Sequence, residues 1–267
     1  MNTIPDAEEI ARQYAAELSQ YIAYLQGRNL TSEVPETRVE CQLECLRDWS
    51  LLHSQQDVES WFRRQRETCT MQVTDIPLNE VAGWIVDPST SNVRHESGEF
   101  FTVHGIRVMH TERREVGGRG WDQPILEQVG RDGGLLGLLR KRFRGVPHYL
   151  VEAKAEPGNY EKVQLSPTLQ ATFSNLKRAH AGNKPRFASY FEDPDPRLVK
   201  VLYKAWLSED GGRLHLKRNL GMLVEVPEDH PVELPEGFLW MSLFQIKKCL
   251  WRNAWVGPHI RGIIAHL

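Results

Sequence analysis

The spacing of apolar residues changes character near Thr70, and that change restricts the chain to an α+β architecture. Before it, apolar side chains recur at helical intervals. Ile10, Tyr14, Leu18, Tyr21 and Leu25 mark an amphipathic helix over residues 6–27, with Asp6 as N-cap, Glu8 and Glu9 in the first turn and Gly27 as the stop. Such a face packs against the main domain or a partner. A polar connector at residues 29–37 leads to a second expected helix at 38–54. A third spans 57–67, capped by Asp57, with Arg63, Arg64 and Arg66 toward its negative end. Beyond Thr70 the apolar segments become short, alternating and punctuated by turns. Residues 71–76, 100–104, 135–139, 148–153, 199–207 and 222–226 read as strands. Turns fall at Ser97-Gly98, Arg144-Gly145-Val146-Pro147 and Asp210-Gly211-Gly212. Residues 238–248 turn helical near the end. The expected organisation is a helical N-terminal extension over 1–56, then one domain over 57–267 with a mixed or antiparallel sheet and packed helices.

Charge and motif content exclude several classes of function. The net charge is −2 with acids and bases interspersed, so no basic face for nucleic acid is expected. Cys41, Cys45, Cys69 and Cys249 make no disulfide framework, and Cys41 and Cys45 lack two further ligands at zinc spacing. Met1 to Asp6 has neither the charged nor the apolar region of a signal peptide, and no apolar run approaches the ~20 residues of a membrane span. A cytoplasmic protein without membrane or nucleic-acid partners is expected. Gly130, Gly133, Gly134 and Gly137 miss the dinucleotide spacing, and no phosphate-loop lysine follows. A nucleophile elbow, a zinc-hydrolase histidine pair and a Nudix box are absent, so neither a metal nor a cofactor is implied.

The densest functional pattern is Glu156-Pro157-Gly158-Asn159 followed by the stretch from Val163 to Thr172. Ser166 and Thr168 alternate and would share one face of a strand, as would Gln164 and Gln170. A polar row of this kind lines a ligand groove or decorates a hydrogen-bonded sheet surface. Glu156 and Asn159 equally serve a Pro-Gly turn.

These residues, together with Arg94-His95-Glu96-Ser97-Gly98-Glu99-Phe100-Phe101, Trp121-Asp122-Gln123-Pro124-Ile125, Ser208-Glu209-Asp210-Gly211-Gly212-Arg213 and Leu239-Trp240-Met241-Ser242-Leu243, resemble the NDP-hexose 2,3-dehydratases. The resemblance runs from Val58 to the last residue. It implies a Nudix-like dehydratase repeat. It also implies a chemistry in which a base removes the C3 proton beside a C4 ketone and an acid assists loss of the C2 hydroxyl. Lys154, Glu156, Gln164, Ser166, Thr168, Gln170, Asn175, Glu209 and Arg213 are the candidates it retains. In an enzyme, Glu156 or Glu209 would be the base, His215 an acid and Arg213 a phosphate ligand.

The chain also departs from that family's pattern. Gln-Ser-Glu becomes Leu207-Ser208-Glu209, and Arg-Phe-Tyr becomes Arg213-Leu214-His215. Asn-Arg becomes Asn219-Leu220, Thr-Arg becomes Thr172-Phe173, and Val-Asn becomes Val256-Gly257. Two arginines are lost, each worth roughly 1.5–3 kcal/mol to a diphosphate contact. Members of the family also carry two copies of this unit, so a homodimer would restore the pair. The departures favour a non-catalytic protein resembling the shorter relatives of ribosomal-peptide pathways. It would bind a precursor peptide, with Phe173, Leu207 and Leu220 as apolar contacts, and present it to a tailoring enzyme. The alternative is an active dehydratase working as a homodimer on a nucleotide sugar.

Overall fold

The computed structural model describes residues 7–30, 35–176 and 184–267, which divide into two compact units. The expected cap Asp6 lies outside the described residues. The first unit gathers the described residues of 1–72, 135–205 and 221–267; the second holds 73–134 and 206–220.

Three helices open the first unit: α1 (Ala7–Gly27), α2 (Glu36–Glu44) and α3 (Gln55–Glu67). Tyr14 of α1 forms a buried cluster with Leu43, Trp49 and Val146, and Ile10, Leu18 and Tyr21 pack around it. The amphipathic stripe of α1 thus faces this unit's own core. The second helix stops ten residues earlier than expected, at Glu44. The third starts two residues early because Ser54, not Asp57, is its cap. Ser54 accepts from the Asp57 N–H while the Asp57 carboxylate accepts from the Ser54 N–H, a reciprocal capping box.

The sheet of this unit is built on a hairpin of two ten-residue strands, β5 (Gly134–Phe143) and β6 (Val146–Ala155), turning at Arg144-Gly145. The strand order is β11 (Phe238–Met241), β6, β5, β10 (Arg218–Val226), β9 (Lys200–Ser208). Two short strands are inserted, β7 (Val163–Pro167) on β6 and β8 (Leu169–Thr172) on β5. The sheet forks where they enter. β5 and β6 pair from Phe143↔Val146 to Leu139↔Leu150, after which β6 takes β7 as its antiparallel neighbour. Residues 238–248, expected to turn helical near the end, are β11 followed by α5 (Leu243–Cys249). Ser242 and Gln245 form a second capping box at the junction. The helix α6 (Pro258–Ile264) follows, packed on β7.

The second unit carries an antiparallel four-stranded sheet, β1 (Trp84–Val86), β2 (Val93–His95), β3 (Phe101–Val108) and β4 (Trp121–Gln128). Residues 71–76, expected as a strand, have no ladder partner and lie mostly exposed. The Asp210–Gly212 turn belongs to a longer connection, residues 209–217, in which Leu126 N–H donates to Arg213 O and His215 N–H donates to Leu126 O.

Candidate functional site

The C-terminal half of β6 has neighbours on both sides, β7 and β11, and this placement makes the site. Glu152 stands opposite Ser166 on β7 and Phe238 on β11, and Lys154 stands opposite Gln164. Directly paired residues of an antiparallel ladder project to the same face. The two-residue spacing from Glu152 to Lys154 puts both on that face as well. Here the sheet borders a cleft of about 620 Å³ lined by Glu152, Lys154, Gln170, Arg186, Glu233 and Phe238, among others.

Lys154 Nζ lies 3.6 Å from Glu152 Oε2. Burial raises the Glu152 carboxyl above its ordinary value. The Lys154 ammonium pulls it back down, and the nearby Glu156 adds a smaller upward push. Gln170 Nε2 donates to Glu156 Oε1 at 2.9 Å. A carboxylate only accepts, so this bond fixes which end of the Gln170 amide faces which way. The cleft therefore combines a carboxyl of raised basicity, an ammonium beside it and an oriented amide.

The expected site residues do not all gather there. Lys154, Thr168 and Gln170 line the cleft, and Glu156 reaches it through Gln170. Ser166 is buried on the cleft-side face, and Gln164 on the same face donates its amide to Ala254 O at 3.2 Å. Thr168 serves the sheet itself. At the fork its hydroxyl donates to Leu150 O and accepts from Leu139 N–H, so it bridges the strands that have parted. Phe173 opens a single helical turn, residues 173–176, and Asn175 is exposed, its N–H donating to Thr172 Oγ1 at 3.2 Å.

The remaining candidates belong to the second unit. Glu209 accepts from the Asn219 side chain. Arg213 is 83% exposed and lies 3.5 Å from Asp210. His215 faces His104, ring centroids 5.5 Å apart, and His104 Nδ1 lies 3.6 Å from Glu127 Oε2. Leu207 and Leu220, on the stretches of β9 and β10 that fall in the second unit, are half-buried. The three proposed apolar contacts thus fall in different units, Phe173 in the first and the two leucines in the second.

Sequence reasoning missed Glu152, Arg186, Glu233 and Phe238. A signal existed for Glu152, since Glu152-x-Lys154-x-Glu156 alternates polar residues in step with a strand. Arg186 and Glu233 lie on loops, where periodicity gives none.

No described helix is long and apolar enough to cross a membrane. A family model described as NDP-hexose 2,3-dehydratase matches residues 55–267. The chain is 36% identical over 214 residues to a dTDP-4-dehydro-6-deoxy-alpha-D-glucopyranose 2,3-dehydratase of Amycolatopsis orientalis, covering 79% of this chain and 44% of that one. It is 41% identical over 208 residues to the protein of the same description from Streptomyces violaceoruber, covering 78% and 45%. The chain therefore spans less than half the length of these relatives. Among solved structures it is similar to a Nudix hydrolase from M. smegmatis at 15% identity and a TM-score of 0.29, covering 60% of this chain and 91% of that one. A likeness that slight says nothing of a ligand.

Proposed function

The chain belongs to the NDP-hexose 2,3-dehydratase family, and from that premise we propose that its cleft removes water across C2 and C3 of a nucleotide-linked 4-keto-6-deoxyhexose. The observation that carries this reading is the Glu152–Lys154 pair, held on a strand with neighbours on both sides and bordering a cleft of sugar-nucleotide scale. Glu152 takes the C3 proton, which the adjacent ketone acidifies; burial has raised its basicity for that step. The Lys154 ammonium stabilises the oxyanion that develops at C4. The C2–O bond then breaks, and the proton returns to the departing hydroxyl, which leaves as water. The resulting enol at C3 tautomerises to a ketone. Glu156 holds the Gln170 amide in register for the sugar hydroxyls. Two copies of the chain would together approach the length of the longer relatives, of which one copy covers 44–45%.

A second reading keeps the scaffold and drops the chemistry: a precursor-peptide carrier for a tailoring enzyme. What favours it is the trio Phe173, Leu207 and Leu220, half-buried apolar side chains where the family pattern has polar or cationic ones.

Incubation with dTDP-4-keto-6-deoxyglucose in deuterated buffer separates the two. The dehydratase reading expects loss of one water by mass spectrometry and one solvent deuterium at C2 of the product, delivered when the enol tautomerises. Glu152→Gln should lower both by about 100-fold or more with a small change in KM. Neither signal from the wild type, with a short precursor peptide bound instead, would sink the enzymatic reading.

A further inference from the structure

Two loop segments contribute to the cleft, Pro185-Arg186 and Glu233 to Glu236, and side chains tie them together twice. Tyr190 and His230 hydrogen-bond, Oη to Nε2, at 2.9 Å. Arg186 Nη1 lies 3.7 Å from Glu233 Oε1. The second tie is long and open to water, with side-chain exposures of 64% and 82%, so it holds the loops only weakly.

The backbone beside Arg186 is far more constrained than that ion pair requires. Phe187 has φ 62° and ψ 0°, the left-handed region, which is strained for a bulky side chain. Strain of this kind persists only where packing over-determines it, and it concentrates at ligand-binding positions. Here the Phe187 ring packs edge-on to Phe238, which itself lines the cleft, at 5.2 Å, and stacks on Tyr190 at 6.4 Å. An exposed arginine with a loose partner is thus carried on a rigidly specified stretch of chain.

Among the described residues lining the cleft, the cations are Lys154 and Arg186. Lys154 is committed to the sheet face beside Glu152. We infer that Arg186 is the group that binds the diphosphate of a nucleoside diphosphate, exchanging Glu233 for phosphate oxygens when the ligand enters. The inference rests on the dehydratase reading and deepens it. A guanidinium presents two parallel N–H donors to a phosphate, which a lone ammonium does not. Glu233, a loose partner at 3.7 Å, gives way when a stronger acceptor arrives.

Calorimetric titration with dTDP and with thymidine, which lacks the diphosphate, tests this on the full chain. Arg186→Gln should weaken dTDP binding about 10- to 100-fold and leave thymidine binding unchanged. Arg186→Lys should fall between the two, and Glu233→Gln should tighten dTDP binding by removing the competitor. Phe187→Gly, which releases the strain and deletes the ring brace, should lower dTDP affinity several-fold while sparing thymidine; Phe187→Tyr should keep both. Arg186 is exposed, so its variants put folding at little risk. Equal dTDP affinity in wild type and Arg186→Gln overturns the inference and leaves the dehydratase reading standing. A wild type that binds neither dTDP nor its 4-keto sugar overturns both.

Discussion

Glu44 is a buried carboxylate with no cation to itself. Arg140, only 1% exposed, pairs with Glu40 and with Glu225, and Glu44 reaches it at no better than 3.8 Å. Tyr149 donates to Glu44 Oε1 at 3.2 Å, and the other oxygen is buried without a hydrogen bond. Three carboxylates (Glu40, Glu44, Glu225) thus face two guanidiniums, Arg140 and Arg142, with the Tyr149 hydroxyl and Cys41 thiol beside them. Burial drives Glu44 up to about 7, with Arg140 opposing and Glu40 assisting. Burial acts on Glu40 too, yet the hydrogen-bonded guanidiniums of Arg142 and Arg140 hold it down at about 2. Between the ordinary 4.5 and about 7 the folded chain keeps a proton on Glu44 that the unfolded chain has released. The stability associated with Glu44 is therefore complete below 4.5 and declines as pH rises to about 7, by up to ~3 kcal/mol. Glu44→Gln keeps a hydrogen-bond acceptor and loses the charge. It should be more stable than wild type at pH 8, by up to about 3 kcal/mol, with the gap closing near pH 4.5. Urea unfolding at a series of pH values measures this; a gap that stays constant down to pH 4.5 would rule it out.

At the scale of elements, the fork between β5 and β6 depends on one hydroxyl. Thr168→Val preserves the side chain's shape and leaves Leu139 N–H and Leu150 C=O without their bridge. The expected cost is ~2–4 kcal/mol in denaturant unfolding, against under about 1 kcal/mol for Thr168→Ser, which keeps the oxygen. A Val variant as stable as the Ser variant would show the bridge to be dispensable. This residue also shows where sequence reading stopped. Alternation puts Ser166 with Thr168, and Gln164 with Gln170, on one face, because side-chain period is a local property. The same alternation runs on through Thr168 without saying that the chain changes partner strand there, because pairing is not local. Residues 71–76 fail for the same reason: they alternate, but no neighbour pairs with them. The apolar run Phe238 to Met241 is ambiguous between strand and helix on periodicity alone. The overlooked signal was Ser242 with Gln245, a capping box that dates the helix start to Leu243, just as Ser54 with Asp57 does for α3. Glu152 was hidden because its raised basicity comes from having β7 and β11 on either side, which its own segment does not encode.

On the scale of the molecule, α1 and α2 precede the family-matched span and yet belong to the first unit's core. The tie is a relay. Tyr14 of α1 donates to Glu40 of α2 at 2.7 Å, and Glu40 accepts from Arg140 and from Arg142 on β5, at 2.8 and 2.9 Å for the latter. Around it the apolar contacts of Tyr14, Leu43, Trp49 and Val146 close over the charges and keep water out. Helices held only by an apolar stripe could detach and leave a folded sheet. Helices whose carboxylate neutralises an arginine 1% exposed cannot, since detachment strands that cation. Glu40→Ala should then cost the unit ~3–5 kcal/mol, whereas Tyr14→Phe, which removes one hydrogen bond from the relay, should cost about 1–2 kcal/mol. The cooperativity of the loss is the sharper expectation. Trp49 lies against Tyr14 at 5.2 Å, so with 5-fluorotryptophan incorporated at the chain's eight tryptophans its assigned fluorine resonance reports the helical arm, while far-UV circular dichroism reports the helices and sheet together. In denaturant the two signals should fall in one coincident transition, and Glu40→Ala should move both midpoints by the same amount. A Trp49 transition that runs ahead of the circular dichroism in the wild type would mean that the arm opens on its own and that the relay does not bind it to the sheet.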